Sequence, residues 1–213
     1  MSESVLLDRR VLIQRGRHLE YFTVAWNLVE GALGVVLGAI AGSISLIGFG
    51  LDSFIEVVSG TALLWRMAVD ADAQRRELND TRALRIVGLC FLLLAAYLSY
   101  QSAGELLVKR APERSIPGIV LACASVVIMP ILSKAKRKVG RELGSIAMDA
   151  EAQQTDFCAY LSLILLVALL MNALFGLWWA DSVGTLLMVP IIAKEGLEAL
   201  RGKRCADCNT RAL

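Results

Sequence analysis

Long apolar stretches constrain the fold of this chain more than any other feature of its sequence. Six of them follow one another, over residues 21–43, 44–69, 84–107, 116–132, 145–174 and 180–200. A helix needs roughly 20 apolar residues to cross a hydrocarbon core about 30 Å thick. Hydrophobic residues make up 56% of the chain, and the mean hydropathy is +0.60. We therefore expect an all-α membrane protein with six transmembrane helices.

The positions of lysine and arginine predict the orientation. If both termini are cytoplasmic, nineteen basic residues fall on that side and only Lys109, Arg110 and Arg114 fall on the other. This bias follows the positive-inside rule and requires an even number of spans. We expect a cytoplasmic segment over residues 1–20, a transmembrane domain over 21–200 and a short cytoplasmic tail over 201–213. A multi-pass protein of a bacterial-type inner (plasma) membrane is the expected setting.

The basic residues and the cysteines exclude or limit other functions. The basic residues sit in short pieces between spans rather than on one face, which argues against a nucleic-acid partner. Three of the five cysteines lie within spans, where packing is their usual role. Cys205 and Cys208 form one C-x-x-C pair in the tail, which supplies only two of the four ligands of a usual zinc site. A role for this pair in metal delivery stays open.

Two carboxylates interrupt the second apolar stretch, SISLIGFGLDSFIEVVSG. Asp52 and Glu56 are four residues apart and so project from one helix face. Each charge near the bilayer centre costs roughly 2.5 to 3.5 kcal/mol. No predicted span offers a basic residue near mid-depth, so we expect a cation, protons or water to face this pair, with a structural ion pair as the alternative.

The fifth stretch begins with a polar third that carries Asp149, Glu151, Gln153 and Asp156. Gln153 and Asp156 are three residues apart and share a face. Asp156, directly before the apolar run, is the better inward candidate, whereas Asp149 and especially Glu151 also suit the cytoplasmic interface. Carboxylate and amide oxygens that converge from two facing helices would form a divalent-cation site inside a bundle.

Other residues of the spans predict packing. Asn27 and Glu30 are three residues apart in the first span, where hydrogen bonding between helices is at least as good an interpretation as ligation. Small residues near the turn at Gly42 predict a tight first hairpin. Pro130 fits the end of the fourth span, and Pro190 fits a kink in the sixth.

The stretches SLIGFGLDSFIEVVSG, SIAMDAEAQQTDFCAYLSLILL and WWADSVGTLLMVPIIAKEGLEAL resemble the second, fifth and sixth helices of the cation diffusion facilitator (cation efflux) family. The resemblance implies export of a divalent metal, commonly zinc, driven by inward proton movement, with two ligands from each of the second and fifth helices. Asp52 and Glu56 match the first pair, and Asp156 matches the later member of the second. The earlier member falls on Ala152, which has no donor atom. Either Gln153 supplies the fourth oxygen, or the site keeps a water.

The resemblance implies further partners. The family's cytoplasmic metal-sensing domain has no counterpart in residues 201–213, so a homodimer is expected to form through the transmembrane helices. With an all-oxygen site, zinc is the first candidate for the metal, followed closely by manganese or iron. The metal is expected to be a transported ion rather than a tightly bound cofactor. Protons are expected to compete for the same oxygens, with Asn27, Glu30 and Asp149 as candidates for supporting the ligands or for a proton path. The alternative is a non-transporting membrane scaffold or metal-sensing subunit; neither interpretation is an enzyme.

Overall fold

The computed structural model describes residues 3–68, 73–108 and 112–201. These residues form six α-helices and, within those ranges, no strand. The expectation of an all-α protein with six helices is confirmed. The helices are α1 Glu3–Ala41, α2 Ile44–Ala68, α3 Ala73–Val108, α4 Ile116–Leu143, α5 Ile146–Phe175 and α6 Ala180–Leu200.

Helices α1 to α5 are each long and apolar enough to cross a membrane. Helix α6 falls short of that criterion because every stretch of 18 residues within it contains at least three charged side chains. It nevertheless packs against α2, α3 and α5. The charged residues of α6 are therefore part of the bundle, and their surroundings decide what they do.

The bundle exposes large apolar side chains on its surface and buries charged side chains within an apolar core. Tyr100 and Leu107 are 79% and 85% exposed, whereas Glu30 and Lys136 are fully buried. Water-soluble proteins distribute these residue types the other way round. The distribution fits a bundle whose surface meets lipid and whose polar groups must find their partners inside.

Three helices extend well beyond their predicted spans: α1, α4 and α3, which begins at Ala73 rather than at residue 84. Helix α4 contains Pro130 in its interior and runs on to Leu143, so the prediction that Pro130 ends the fourth span is wrong. Neighbouring helices can compensate for the backbone donor that a proline removes from a transmembrane helix. Helix α1 begins at Glu3, so most of the predicted segment 1–20 is continuous with the first span. Pro190 lies inside α6, as predicted.

The first hairpin closes as predicted. Gly42, with a φ of 65°, separates the end of α1 from the start of α2. Gly34 and Gly50 lie against each other, since a Cβ added at Gly34 would fall 2.9 Å from Gly50 Cα. Small residues therefore bring the two backbones together, as they do in many membrane helix pairs.

The six helices pack mainly as three pairs, α1 with α2, α3 with α6, and α4 with α5. Helices α3 and α6 approach closely at Gly88 and Gly196, where a Cβ added at Gly196 would fall 3.0 Å from Gly88 O. We call the end at which α1, α3 and α5 begin the N-terminal end of the bundle, and the other the opposite end. Ser115 and Ser145 cap the amino termini of α4 and α5.

At the opposite end, Asp181 of α6 binds the amino terminus of α2. Its fully buried carboxylate accepts hydrogen bonds from Ser43 Oγ at 2.6 Å, Ile44 N at 2.8 Å and Ser45 N at 3.3 Å, and a further one from Ser45 Oγ. A carboxylate at this position satisfies backbone donors that the helix leaves unpaired and interacts favourably with the helix dipole. The contact therefore fixes where α2 and α6 start relative to each other.

We expect Asp181→Ala to lower the free energy of unfolding by about 1 to 3 kcal/mol, because it leaves buried donors without an acceptor. Thermal unfolding in detergent checks this, with Glu198→Ala as the control because Glu198 is a half-exposed acid of the same helix. Equal midpoints for both variants would contradict the assigned role of Asp181.

Candidate functional site

Asp52 and Glu56 lie on one face of α2, inside the bundle. Only 4% of Asp52 and 6% of Glu56 is exposed. Both line a narrow cavity, here called the chamber, of about 10 Å³, which is roughly the space that one water molecule occupies. The prediction that the pair shares a buried face is therefore confirmed.

The cavity lies among α2, α3, α5 and α6. Its polar lining residues are Asp52 and Glu56, Gln154 of α5 and Glu195 of α6. None of the residues described as lining it is basic. The apolar lining consists of Phe91, Phe157, Leu161, Ile191 and Ile192. Carboxylates thus face a small chamber with apolar walls and no cationic side chain.

Asn27 of α1 holds Glu56 from the side. Its Nδ2 donates to Glu56 Oε2 at 2.6 Å. Glu56 Oε1 and Asn27 Oδ1 are both buried, and no residue of the described ranges donates a hydrogen bond to them. One oxygen of Glu56 is therefore fixed, while the other is available to a ligand.

Glu30, one turn along α1 from Asn27, has protein partners on three helices. Ser53 Oγ of α2 donates to Glu30 Oε2 at 3.2 Å, and Ser125 Oγ of α4 donates to Glu30 Oε1. Cys158 Sγ of α5 lies 4.0 Å from Glu30 Oε2. Hydrogen bonding between helices accounts for both Asn27 and Glu30, one of the two interpretations that the sequence allowed.

Gln153 and Asp156 do not face Asp52 and Glu56 in this structure. The Gln153 side chain is exposed, and neither residue lines the cavity. Asp156, about one-third exposed, forms an ion pair with Arg137 of α4 and accepts a hydrogen bond from Ser133 Oγ. Ala152 is fully buried, and its carbonyl oxygen lies 2.9 Å from the same Ser133 Oγ. The predicted α5 ligand face is therefore turned toward α4.

The face of α5 that meets α2 contains Glu151 and Gln154 instead. Ser59 Oγ of α2 lies 2.6 Å from Glu151 Oε1 and 3.0 Å from Gln154 Oε1. The buried positions Leu161 and Cys158, followed back along α5 at helical spacing, lead to Gln154 and Glu151. That spacing was the available sequence signal for them. Asp149, in the first turn of α5, is half buried and lines no part of the cavity.

A buried ion pair was not predicted from the sequence, because Lys136 lies beyond the predicted end of the fourth span. Lys136 Nζ lies 3.0 Å from Glu20 Oε2, and both side chains are fully buried. Lys136 Nζ is also 3.4 Å from Thr155 Oγ1 of α5. Gly60 of α2 leaves room for the pair, since a Cβ there would fall 2.6 Å from Glu20 Oε1. The pair joins α1 and α4 near the N-terminal end of the bundle.

Acidic and thiol side chains do not converge tightly in this conformation. Across residues 3–68, 73–108 and 112–201, no three His, Cys, Asp or Glu side chains are close enough together to hold a metal ion. Cys205 and Cys208 lie outside the described residues. An ion in the cavity would need its carboxylates to move toward it or water to complete its coordination shell.

The comparison with known families identifies the bundle. The model of the cation efflux transmembrane domain matches residues 84–203, more than half of the chain. The chain belongs to the cation efflux family. As a member of that family it is a multi-pass integral membrane protein, and the family resemblance inferred from the sequence is confirmed.

Relatives from three lineages resemble this cation efflux protein at low identity. An uncharacterized transporter of Methanocaldococcus jannaschii is 24% identical over 83% of this chain and 64% of its own length. An uncharacterized transporter of Synechocystis is 27% identical over 76% of this chain and 54% of its own length. Transmembrane protein 163 of Xenopus laevis is 23% identical over 85% and 65%. The chain thus spans less than two thirds of the length of each relative.

The ion pair of Lys136 gives a prediction about stability. Lys136→Met leaves the Glu20 carboxylate buried without its partner, and we expect the free energy of unfolding to fall by about 3 to 5 kcal/mol. Lys136→Met combined with Glu20→Met removes both charges and should recover most of that loss. Denaturant unfolding in detergent measures both variants.

The exposed Lys134 provides the control for charge alone. Lys134→Met should leave the unfolding midpoint unchanged. A double variant as unstable as Lys136→Met would show that the two charges do not act as a pair.

Proposed function

We propose that this protein transports a divalent metal cation across a membrane, with Asp52 and Glu56 as its ligands on α2. One observation carries the proposal: two carboxylates more than nine-tenths buried line a chamber in a lipid-exposed bundle, with no cationic residue on its described walls. Burying such charges in a bilayer protein is costly unless they bind a substrate or a counter-ion. A divalent cation supplies the positive charge that the chamber lacks.

The chemistry of the ligands orders the candidate ions. Carboxylate and amide oxygens are hard donors that suit manganese, iron and magnesium, and zinc also accepts carboxylates. Family membership supports zinc as the first candidate, followed by manganese or iron. We further propose export from the cytoplasm in exchange for protons, by a homodimer in a bacterial-type inner membrane with both termini cytoplasmic. The excess of basic residues on one set of loops supports this orientation.

A non-transporting scaffold or metal-sensing subunit is the second candidate. The absence of three converging ligand side chains from the described conformation favours it. The buried acids argue against it, because a purely structural bundle would gain stability from apolar replacements. Transport and scaffolding make different predictions for Asp52.

Removing Asp52 should abolish transport without unfolding the protein. We expect Asp52→Ala to reduce proton-gradient-driven metal uptake into inside-out proteoliposomes by at least about tenfold, since loss of groups that only support metal ligands already costs about 10- to 100-fold. Uptake of zinc, manganese and iron is measured separately, so the same assay identifies the ion. Size-exclusion profiles in detergent establish that the variant is folded.

The control for Asp52 is Glu142→Ala, which removes an exposed acid of α4. This variant should transport like the unaltered protein. Failure of the folded, unaltered protein to take up any of the three metals would reject transport in favour of the scaffold or sensor.

Metal affinity should weaken steadily as the pH falls from about 8 to 5.5, because a carboxylate must lose its proton to bind metal. Titration of metal binding by calorimetry at several pH values checks this. A constant affinity over that range would reject exchange of metal and protons at the same oxygens. Charged or titratable groups on α1, α4, α5 and α6 also act electrostatically on Asp52 or Glu56: Glu30, Lys136, Glu151 and Glu195.

A further inference from the structure

Helix α6 presents Glu195 at nearly the same depth as Glu56. Asp181 joins the start of α6 to the start of α2, so the two helices can be measured from a common level. Glu56 lies 12 residues after Ile44, and Glu195 lies 15 residues after Ala180. At 1.5 Å per residue, their depths are about 18 Å and about 22 Å, which differ by less than one helical turn.

The cavity that contains Asp52 and Glu56 is also lined by Glu195. Glu195 Oε2 is buried, and among the residues described no donor hydrogen-bonds to it. Glu56 Oε1 is in the same situation on a side chain that is only 6% exposed. Two buried oxygens from two helices thus lack partners beside one chamber. Unpartnered buried carboxylate oxygens are costly, which indicates that a ligand supplies the missing interaction.

Gln154 can supply a further oxygen from α5. The Ser59 hydroxyl has one proton, and the nearer acceptor, Glu151 Oε1 at 2.6 Å, takes it. Gln154 then satisfies Ser59 only by donating to the hydroxyl oxygen, which requires the Nε2 end of its amide to face Ser59. The orientation of a glutamine amide is assigned from such partners. With the amide turned this way, Gln154 Oε1 occupies the buried position now assigned to Nε2. At that position no hydrogen-bond partner lies within the described ranges.

The two α5 positions that the family resemblance assigned as ligands, 152 and 156, do not offer a free oxygen to the chamber. Ala152 has no donor atom in its side chain, and Asp156 pairs with Arg137. The chamber therefore needs ligands from other positions if it binds a cation.

We propose that Glu195 of α6 completes the cation site with Asp52 and Glu56, and that Gln154 adds an amide oxygen from α5. This inference rests on the proposed transport function. Three carboxylates without a basic neighbour on the described walls attract a divalent cation strongly. In the described conformation the carboxylates stand apart. Binding therefore draws the Glu195 side chain toward α2, while Gly196 keeps the α6 backbone against α3.

Zinc and manganese titrations of the full-length protein in proteoliposomes test the assignment. Glu195→Gln should weaken the apparent affinity for the transported metal about tenfold or more, as loss of a ligand should cost at least as much as loss of a supporting group. Glu195→Asp, which keeps the charge, should retain more of the affinity than Glu195→Gln. Glu198→Gln is the matched control, since Glu198 lies three residues further along α6 and pairs with the exposed Lys194. It should behave like the unaltered protein.

Metal preference separates a ligand from a residue that only supports the fold. Glu195→His replaces a carboxylate by an imidazole, which suits zinc and disfavours manganese. We expect the ratio of zinc to manganese affinity to rise about tenfold or more relative to the unaltered protein. A residue without contact to the ion would leave that ratio unchanged.

The outcomes separate this inference from the function on which it rests. If the unaltered protein transports, Asp52→Ala does not, and Glu195→Gln and Glu195→His both match Glu198→Gln in affinity and metal preference, the role of Glu195 is rejected and transport stands. If Asp52→Ala also transports normally, the ligand role of Asp52 is rejected, and if the folded, unaltered protein takes up no metal, the proposed function is rejected. Weaker affinity in Glu195→Gln together with a shifted preference in Glu195→His establishes the ligand.

Discussion

The hydrogen bonds that Asp181 accepts at the start of α2 tie the start of α6 to the start of α2. They join two helices whose contacting residues are 138 positions apart in the chain. Since both helices rise by 1.5 Å per residue from that contact, the level of every side chain on α6 relative to α2 follows from it. Glu195 reaches the chamber beside Glu56 for this reason, and a shift of one turn would move it about 5 Å away.

Two classes of charged group in the bundle contrast with each other. Lys136 with Glu20, and Arg137 with Asp156, are ion pairs that join neighbouring helices. They recover much of the cost of burial from each other and need no further partner. The acids of the chamber have no basic neighbour on its described walls. Because lipid offers no compensation, this second class is where an ion from outside contributes most to stability.

The sequence predicted the helices well, because apolar runs of that length have few other uses. The face shared by Asp52 and Glu56 followed from their four-residue spacing. The inward face of α5 could not be predicted so directly, since polar residues occupy several sides of its first turns. Lys136 was missed because the predicted fourth span ended at residue 132. The partners of Asp181 depend on packing between distant parts of the chain, for which local patterns carry no signal.

The location of the chamber also bears on how it could open. Close backbone contacts hold the helices together within pairs, at Gly34 and Gly50 in α1–α2 and at Gly88 and Gly196 in α3–α6. The chamber lies between pairs, among α2, α3, α5 and α6, where side chains form its walls. Movement of one pair against another changes the chamber and leaves each glycine contact intact. Shear of packed helices of this kind is a common form of conformational change. The glycine contacts thus permit rocking between pairs, the motion that access from alternating sides requires.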